Sequence, residues 1–156
     1  MAPRPIAFVS TVGTDGTANL SPYSFFNAFA FDPPTLVFGC VSRPADKNGG
    51  MSDSERNLRE TKECVVHIIS DWFVEAANHT CGAYDYDVDE IELSGLNTLP
   101  SVKVQPHRIA ESAIQMECVL DHIHDVKNTA GKVTSALCIV RVVLFHVNNQ
   151  VNLHCY

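Results

Sequence analysis

The chain has 156 residues, 46% of them hydrophobic, and a formal net charge of −7. A chain of this length is expected to form one domain that buries about 68–70% of its unfolded surface. The composition excludes disordered and collagen-like proteins. No apolar run approaches the ~20 residues of a membrane-spanning helix, and the acidic balance argues against a nucleic-acid-binding surface.

The cysteines and the N-terminus both indicate a cytoplasmic protein. None of the six cysteines forms a C-x-x-C pair, and four lie in strand-like apolar runs. Buried free thiols are therefore expected rather than disulfides. The first residues lack the apolar segment of a signal peptide. The cysteines are Cys40, Cys64, Cys81, Cys118, Cys138 and Cys155.

Alternation of apolar and polar residues predicts strands along most of the chain. Residues 6–12 are predicted to form a strand, and residues 18–21 a second strand antiparallel to it. Residues 13–17 are predicted to form the hairpin loop between them, because their glycines and Asp-Gly step suit a turn. Residues 35–41 and 64–70 are apolar at consecutive positions, as in strands covered on both faces.

The C-terminal half continues this pattern. Residues 113–124 alternate, with Gln115 and Glu117 among the polar positions, which predicts a strand with one solvated face. Residues 132–147 form the longest β-type run, rich in Val, Ile and Phe.

Two short helices are expected among these strands. A capping-box pattern predicts one that begins near Ser52, and a second is predicted over residues 71–78. About six strands with two or three short helices favour a mainly β domain, a small barrel rather than an open sheet.

Several common sites can be excluded from motifs. There is no G-x-G-x-x-G, no Walker loop and no G-x-S-x-G. Residues 85–96 imitate a calcium loop, but Glu90 and Leu96 occupy its sixth and twelfth positions, so a solvated acidic loop is expected. His122 and His124 share one strand face without a third ligand, which predicts an exposed strand end and no metal site.

An aromatic cluster stands out at residues 23–31, which contain five of the thirteen aromatic side chains. A core cluster is one interpretation. The other is a platform for a planar heteroaromatic ligand whose ring edges meet backbone groups and small polar side chains.

A second cluster, at residues 42–62, contains five of the eleven cationic side chains. Solvated helix charges are one interpretation. The other is a phosphate site, in which these cations join the hydroxyls of Ser42, Ser52 and Ser54 at a helix N-terminus. Together the two clusters suggest a mononucleotide-like cofactor.

Four segments resemble the flavin reductase-like family, the FMN-binding split-barrel proteins. They are PRPIAFVSTVGTDGTANLSPYSFFNAFAFDPPTLVFG, RNLRETKECVVHIIS, DEIELSGL and PHRIAESAIQMEC. That family includes flavoredoxin-type proteins and reductase components of two-component monooxygenases. The resemblance runs from Pro3 to about Val147 and implies a mainly β split barrel, one domain over residues 1–156, and a homodimer with FMN near the subunit interface. Family members usually extend beyond both ends, which favours a shortened chain.

The resemblance also assigns site residues. Those expected along the flavin, presenting backbone amides and small polar groups, are Asn19, Leu20, Ser21, Tyr23, Ser24, Phe25, Phe26 and Asn27, with Ser10 and Thr11 as further candidates on the preceding strand. Those expected near the phosphate are Ser42, Arg43, Ser52, Ser54 and Arg56. The family's lysine is replaced here by Ser52, which predicts about tenfold to hundredfold weaker FMN binding unless Arg43, Lys47 or Arg56 compensates.

The function implied by the resemblance is that of an NAD(P)H-dependent flavin reductase. Hydride would pass from NADH or NADPH to FMN, and electrons or reduced flavin would then pass to a partner such as a monooxygenase. His107 is the one candidate catalytic residue. Three alternatives remain open: an electron carrier without a nicotinamide site, an FMN enzyme acting on a small organic substrate, and a barrel that has lost flavin.

Overall fold

A computed structural model describes residues 2–42 and 48–149 of the chain. Nine strands are present in the described part: β1 (Ala7–Val12), β2 (Ala18–Tyr23), β3 (Phe26–Phe31), β4 (Pro34–Val41), β5 (Glu63–Ile68), β6 (Thr98–Leu99), β7 (Arg108–Ile109), β8 (Ile114–Lys127) and β9 (Val133–Val147). The α-helices there are α1 (Asp53–Thr61), α2 (Val74–His79) and α3 (Glu90–Ser94), and 3-10 turns occur at Asn48–Gly50 and Asp71–Phe73.

Seven strands form one antiparallel sheet in the order β2-β1-β5-β8-β9-β4-β3, and β6 pairs with β7. Although β2 and β3 are separated by only two residues, they lie at opposite ends of this order. The sheet must therefore curl until its two edges meet, which gives a barrel with a split between β2 and β3. This confirms the predicted mainly β barrel.

The barrel interior is one apolar core. It includes Val9 and Phe38, and α1 closes it by inserting Leu58. Four cysteines of this core are buried free thiols, as predicted: Cys40, Cys64, Cys118 and Cys138. Cys81 is exposed instead, and Cys155 lies outside the described residues.

A second core lies on the outer face of β1 and β2. Phe8 and Leu20 point outward from these strands and pack with Phe73 near α2, Ile91 of α3 and Ile109 of β7. The sheet near β1 and β2 is therefore covered on both faces, by the barrel interior and by the helices.

The predicted solvated face of β8 is wrong in the first half of the strand, whereas the half from Asp121 onward is mostly exposed. Gln115 and Glu117 are 6% and 0% exposed. The Glu117 carboxylate accepts hydrogen bonds from the backbone N–H groups of Val102 at 2.9 Å and Lys103 at 2.6 Å, and it lies 2.6 Å from His146 Nε2. A polar side chain can thus face the protein when a neighbouring segment supplies its partners.

The predicted solvated acidic loop is also wrong at its end. Asp89 caps the unpredicted helix α3 by accepting from Ile91 N–H at 2.8 Å. Glu90 is buried, and its carboxylate accepts from Leu20 N–H at 3.3 Å.

Local turn and cap predictions are confirmed. The hairpin loop is closed by a 2.9 Å bond from Gly13 N–H to Thr17 O, and the Ser52 hydroxyl accepts from Glu55 N–H at 3.3 Å. His122 and His124 are exposed, and no cluster of three metal-ligating side chains occurs in the described ranges. Across those ranges, no helix combines the length and apolar character needed to span a bilayer.

Candidate functional site

Buried polar side chains from β1, β2 and α1 meet at one end of the barrel; we call them the inner polar cluster (Thr11, Asn19, Ser54 and Asn57). Asn19 Nδ2 donates to Ser54 Oγ at 2.7 Å and to Thr11 Oγ1 at 3.3 Å. Asn57 Nδ2 donates to the same Thr11 oxygen at 3.1 Å. All four residues are at most 4% exposed. The cluster therefore locks α1 onto the β1–β2 hairpin.

Tyr23 continues this cluster toward the split. Its ring lies 5.3 Å from that of Phe38, and its hydroxyl interacts with the hydroxyls of Ser54, Ser52 and Ser21. Burial, reinforced by the nearby Cys40 thiol, raises the pKa of Tyr23 well above its ordinary value. Tyr23 is therefore a neutral hydrogen-bonding group at physiological pH.

Three predicted residues lie on the opposite, outer face of the hairpin. Ser10 Oγ donates to the backbone carbonyl of His107 at 2.6 Å, and Leu20 is fully buried in the outer core. The side chain of His107 is exposed and lines a cavity of about 160 Å³ with Thr11, Ala18 and Ile91. The sheet thus separates Ser10 and Leu20 from the barrel interior.

The remaining ring candidates lie at the split. Ser21, Ser24 and Phe26 are half-buried. Phe25 is 58% exposed, and the Arg4 guanidinium lies 5.2 Å from its ring centroid. Asn27 is exposed, and its side-chain oxygen accepts from Ala28 N–H at 2.9 Å.

The aromatic cluster at residues 23–31 divides between core and surface. Tyr23 and Phe26 pack against the barrel core, whereas Phe29 and Phe31 are 79% and 92% exposed. A simple core cluster is therefore wrong for Phe29 and Phe31 of β3. Gly39 permits the close crossing of Phe25 over β4, because an added Cβ would lie 3.2 Å from Phe25 Cβ.

The start of α1 is already occupied by its own side chains. Ser52 and Ser54 are 4% and 0% exposed, and both hydroxyl oxygens accept hydrogen bonds from the protein. Asp53 and Glu55 in the first turn are also buried, and their carboxylates complement the helix dipole. An anion at this terminus would compete with these groups.

A solvent-open cavity lies beside Ser42. Its volume is about 320 Å³, and its lining includes Gly50, Glu55, Arg59 and Lys132. Arg59 is held by the carboxylates of Glu55 at 2.9 Å and Asp125 at 2.5 Å. No ion pair joins Lys132 to another described side chain, which leaves its ammonium available to an anionic group.

Arg56 does not line that cavity. Its guanidinium lies 4.0 Å from the Tyr86 ring centroid, and its Nε is 3.3 Å from Glu60 Oε1. Arg43 and Lys47 lie outside the described residues.

Sequence reasoning missed Asn57 and Lys132. Asn57 faces inward from α1 at a position that could have been found from helical periodicity, three residues after Ser54. Lys132 lies ninety residues after Ser42, beyond the reach of any local pattern. Only the pairing of β4 with β9 brings it to the cavity.

The model of the family described as "Flavin reductase like domain" matches residues 1–155. YwrF of Bacillus subtilis is 36% identical over 149 residues, which cover 96% of this chain and 71% of that protein. Nitrilotriacetate monooxygenase component B from Bacillus cereus has a solved structure that is 38% identical, with a TM-score of 0.88 over 96% of this chain and 72% of that one.

A third similarity concerns the fold alone. A protein with a split barrel domain from Shewanella frigidimarina is 19% identical, with a TM-score of 0.79 over 94% of this chain and 68% of that one. This similarity agrees with the fold of the present chain, a barrel that is split between β2 and β3.

Proposed function

The chain belongs to the flavin reductase-like family, and from that premise we propose that it binds FMN and transfers hydride to it from NADH or NADPH. The observation that carries this proposal is the contrast within residues 19–27. Asn19, at its start, is held inside the barrel by hydrogen bonds. Phe25 and Asn27, at its end, lie at an exposed edge and offer an aromatic ring and an amide.

The flavin ring is proposed to lie along the split. In the described part of the chain β3 pairs only with β4, so its other edge offers backbone N–H and C=O groups to a ring. Asn27 adds a side-chain amide, and Phe25 adds an exposed aromatic face. These groups suit a planar ring with polar edges.

The phosphate tail is proposed to lie in the cavity beside Ser42, near Lys132 and away from the occupied first turn of α1. Ser42 and Lys132 both line the cavity there, and Lys132 can form a charge-assisted hydrogen bond. Arg43, Ser52, Ser54 and Arg56 stay predictions as phosphate ligands. The buried hydroxyls of Ser52 and Ser54 favour an indirect role, because they hold the helix start in place.

Bound flavin supplies the redox chemistry, and the protein positions the reactants. The inner polar cluster fixes β2, and β2 leads directly into Ser24 and Phe25. His107 stays a prediction as a nicotinamide contact, because its exposed side chain lines a cavity on the outer face of the β1–β2 hairpin and not at the split. No general base is required for hydride transfer.

A cytoplasmic homodimer is proposed as the working form. Phe29 and Phe31 would leave a large apolar strand edge in water, and a second copy that covers them would also enclose the ring. The name of the Bacillus cereus relative makes an oxygenase a reasonable acceptor of the reduced flavin.

The test is consumption of NADH or NADPH by the purified protein in the presence of FMN. Oxidation that depends on both protein and flavin is expected. A protein that remains colourless after FMN is added and oxidises neither nicotinamide would contradict the proposal. A yellow protein that accepts electrons from dithionite but not from NADH or NADPH in stopped-flow mixing would instead be an electron carrier.

A further inference from the structure

A groove lined by both aromatic and acidic side chains lies between the start of α2 and the turn after α3, on the outer side of the barrel. Its volume is about 540 Å³. Phe73, only 4% exposed, is among its lining residues, and Trp72 and Val74 beside it are 66% and 47% exposed. We call this site the tryptophan groove. None of its lining residues is a candidate flavin or nicotinamide ligand.

Trp72 is held in place although most of its surface faces solvent. Its indole Nε1–H donates to the backbone carbonyl of Glu111 at 3.0 Å, and its ring centroid lies 6.2 Å from that of Phe73. An exposed indole fixed by a hydrogen bond loses little side-chain entropy when a partner covers it. This property is typical of interface anchors.

The rim of the groove is acidic. Asp71, Glu75 and Glu111 line it, and no Lys or Arg does. Neither Asp71 nor Glu75 forms a hydrogen bond or ion pair with another side chain of the described ranges, so both carboxylates can meet an incoming cation. The surrounding sequence has the same bias, because residues 63–102 contain eight Asp and Glu and no Lys or Arg.

We propose that the tryptophan groove docks a basic, amphipathic segment of a partner protein. An apolar side chain of that segment packs beside Trp72, and Lys or Arg side chains pair with Asp71 and Glu75. A second copy docked through the same groove fits poorly, because the carboxylates of Asp71, Glu75 and Glu111 on the two rims would face one another. This inference does not depend on flavin binding.

The fluorescence of Trp72 can report on binding at the groove, since Trp72 is the only tryptophan in the chain. The probe is a tryptophan-free peptide of alternating Lys and Leu, titrated into the full chain at low and high salt. A saturable blue shift of the Trp72 emission is expected, and it should weaken at high salt.

Two variants with equal net charge separate docking from general attraction to an acidic protein. Glu75→Lys alters the groove, and Asp32→Lys alters an exposed position in the turn between β3 and β4. Glu75→Lys should weaken peptide binding at least about tenfold and Asp32→Lys less than about twofold, because only the former creates a like-charge contact. Far-UV circular dichroism confirms that both variants fold.

Three results would overturn the proposal. The first is no emission shift at low salt, and the second is equal weakening by both variants. The third is a Trp72 emission that already shifts with protein concentration alone, which would assign the groove to a second copy.

Discussion

The strands β2 and β3 follow one another in the chain and differ sharply in how their side chains are used. In β2, Asn19 is 4% exposed and bonds to two hydroxyls, and Leu20 is fully buried. In β3, Asn27 is exposed, its side chain bonds within the described residues only to the next backbone N–H, and Phe31 is 92% exposed. The side chains of β2 form their hydrogen bonds and apolar contacts inside the protein, whereas those of β3 are exposed to solvent and to a ligand.

This contrast divides the candidate site into a β1–β2 side, which stabilises the fold, and a β3 side, which is exposed to a ligand or a second subunit. Among the described residues, no buried side-chain nitrogen or oxygen lacks a hydrogen-bond partner. Substitutions on the β1–β2 side should therefore lower stability first, and substitutions near β3 should alter binding or assembly first. Four predictions test this division.

The largest expected effect concerns His67 of β5, beneath the outer core. Its Nε2 accepts from Ile109 N–H at 3.0 Å, so its Nδ1–H donates to Phe8 O at 2.8 Å. Burial, with a smaller contribution from Arg108, lowers the pKa of His67 from 6.5 to about 4. The native imidazole therefore resists protonation between these values.

The direction of the change in stability with pH follows from proton binding. Below pH ~6.5 the unfolded chain binds a proton that the folded chain refuses until about pH 4, so stability falls as pH decreases through this window. The loss is about 3 kcal/mol at 1.36 kcal/mol per pKa unit. Urea unfolding at several pH values in this range gives the dependence of the unfolding free energy on pH. This dependence should be weaker in His67→Gln but unchanged in His122→Gln, an exposed control. Equal slopes in all three proteins would count against the assignment.

The second prediction compares two asparagines directly. Asn19→Leu leaves the hydroxyls of Ser54 and Thr11 without their shared donor inside the protein, at a cost of about 2 kcal/mol. Asn27→Leu removes only a local bond at an exposed position and should change the unfolding free energy by less than about 0.5 kcal/mol. Chemical denaturation of both variants measures the difference. Similar losses in the two would remove the distinction between the strands.

Much of this architecture could be predicted from local patterns. The hairpin glycines, the Ser52 cap and the β8 strand each depend on neighbours in sequence, and the structure confirms the turn, the helix start and the strand. The exposure of single residues could not be predicted. Glu117 is buried because residues 102 and 103 cross over it, and Phe31 is exposed because β3 is an edge strand. Both depend on contacts set by the tertiary fold.

The candidate site shows the same limit. The resemblance named Asn19 and Ser54 without indicating that they bond to each other. Lys132 reaches the cavity beside Ser42 only because β9 pairs with β4.

The third prediction tests the proposed phosphate position through Lys132. Lys132→Ala should weaken FMN binding about tenfold, because it removes a charge-assisted hydrogen bond. Riboflavin, which lacks the phosphate, should bind the variant and the unmodified protein equally. Lys103→Ala, which removes an exposed cation in the segment between β6 and β7, serves as the control. Flavin fluorescence titrations give both affinities, and equal weakening for FMN and riboflavin would place Lys132 away from the phosphate.

The smallest effect on unfolding free energy is expected for Phe31→Ser. The side chain is 92% exposed in the single chain, so the variant should unfold within about 0.5 kcal/mol of the unmodified chain. Its assembly should change instead, because the covered edge of the proposed dimer loses an apolar contact. Light scattering should report a dimer that dissociates more readily. Val102→Ser, 66% exposed elsewhere, is the matched control.

The most direct test of the central claim is the visible spectrum of the protein after incubation with FMN and gel filtration. The account predicts a flavin absorption band that co-elutes with the protein, persists in Val102→Ser and is diminished in Asn27→Leu although that variant remains folded. A protein that elutes without flavin, or an Asn27→Leu variant that retains it fully, would contradict the placement of the ring along the split between β2 and β3.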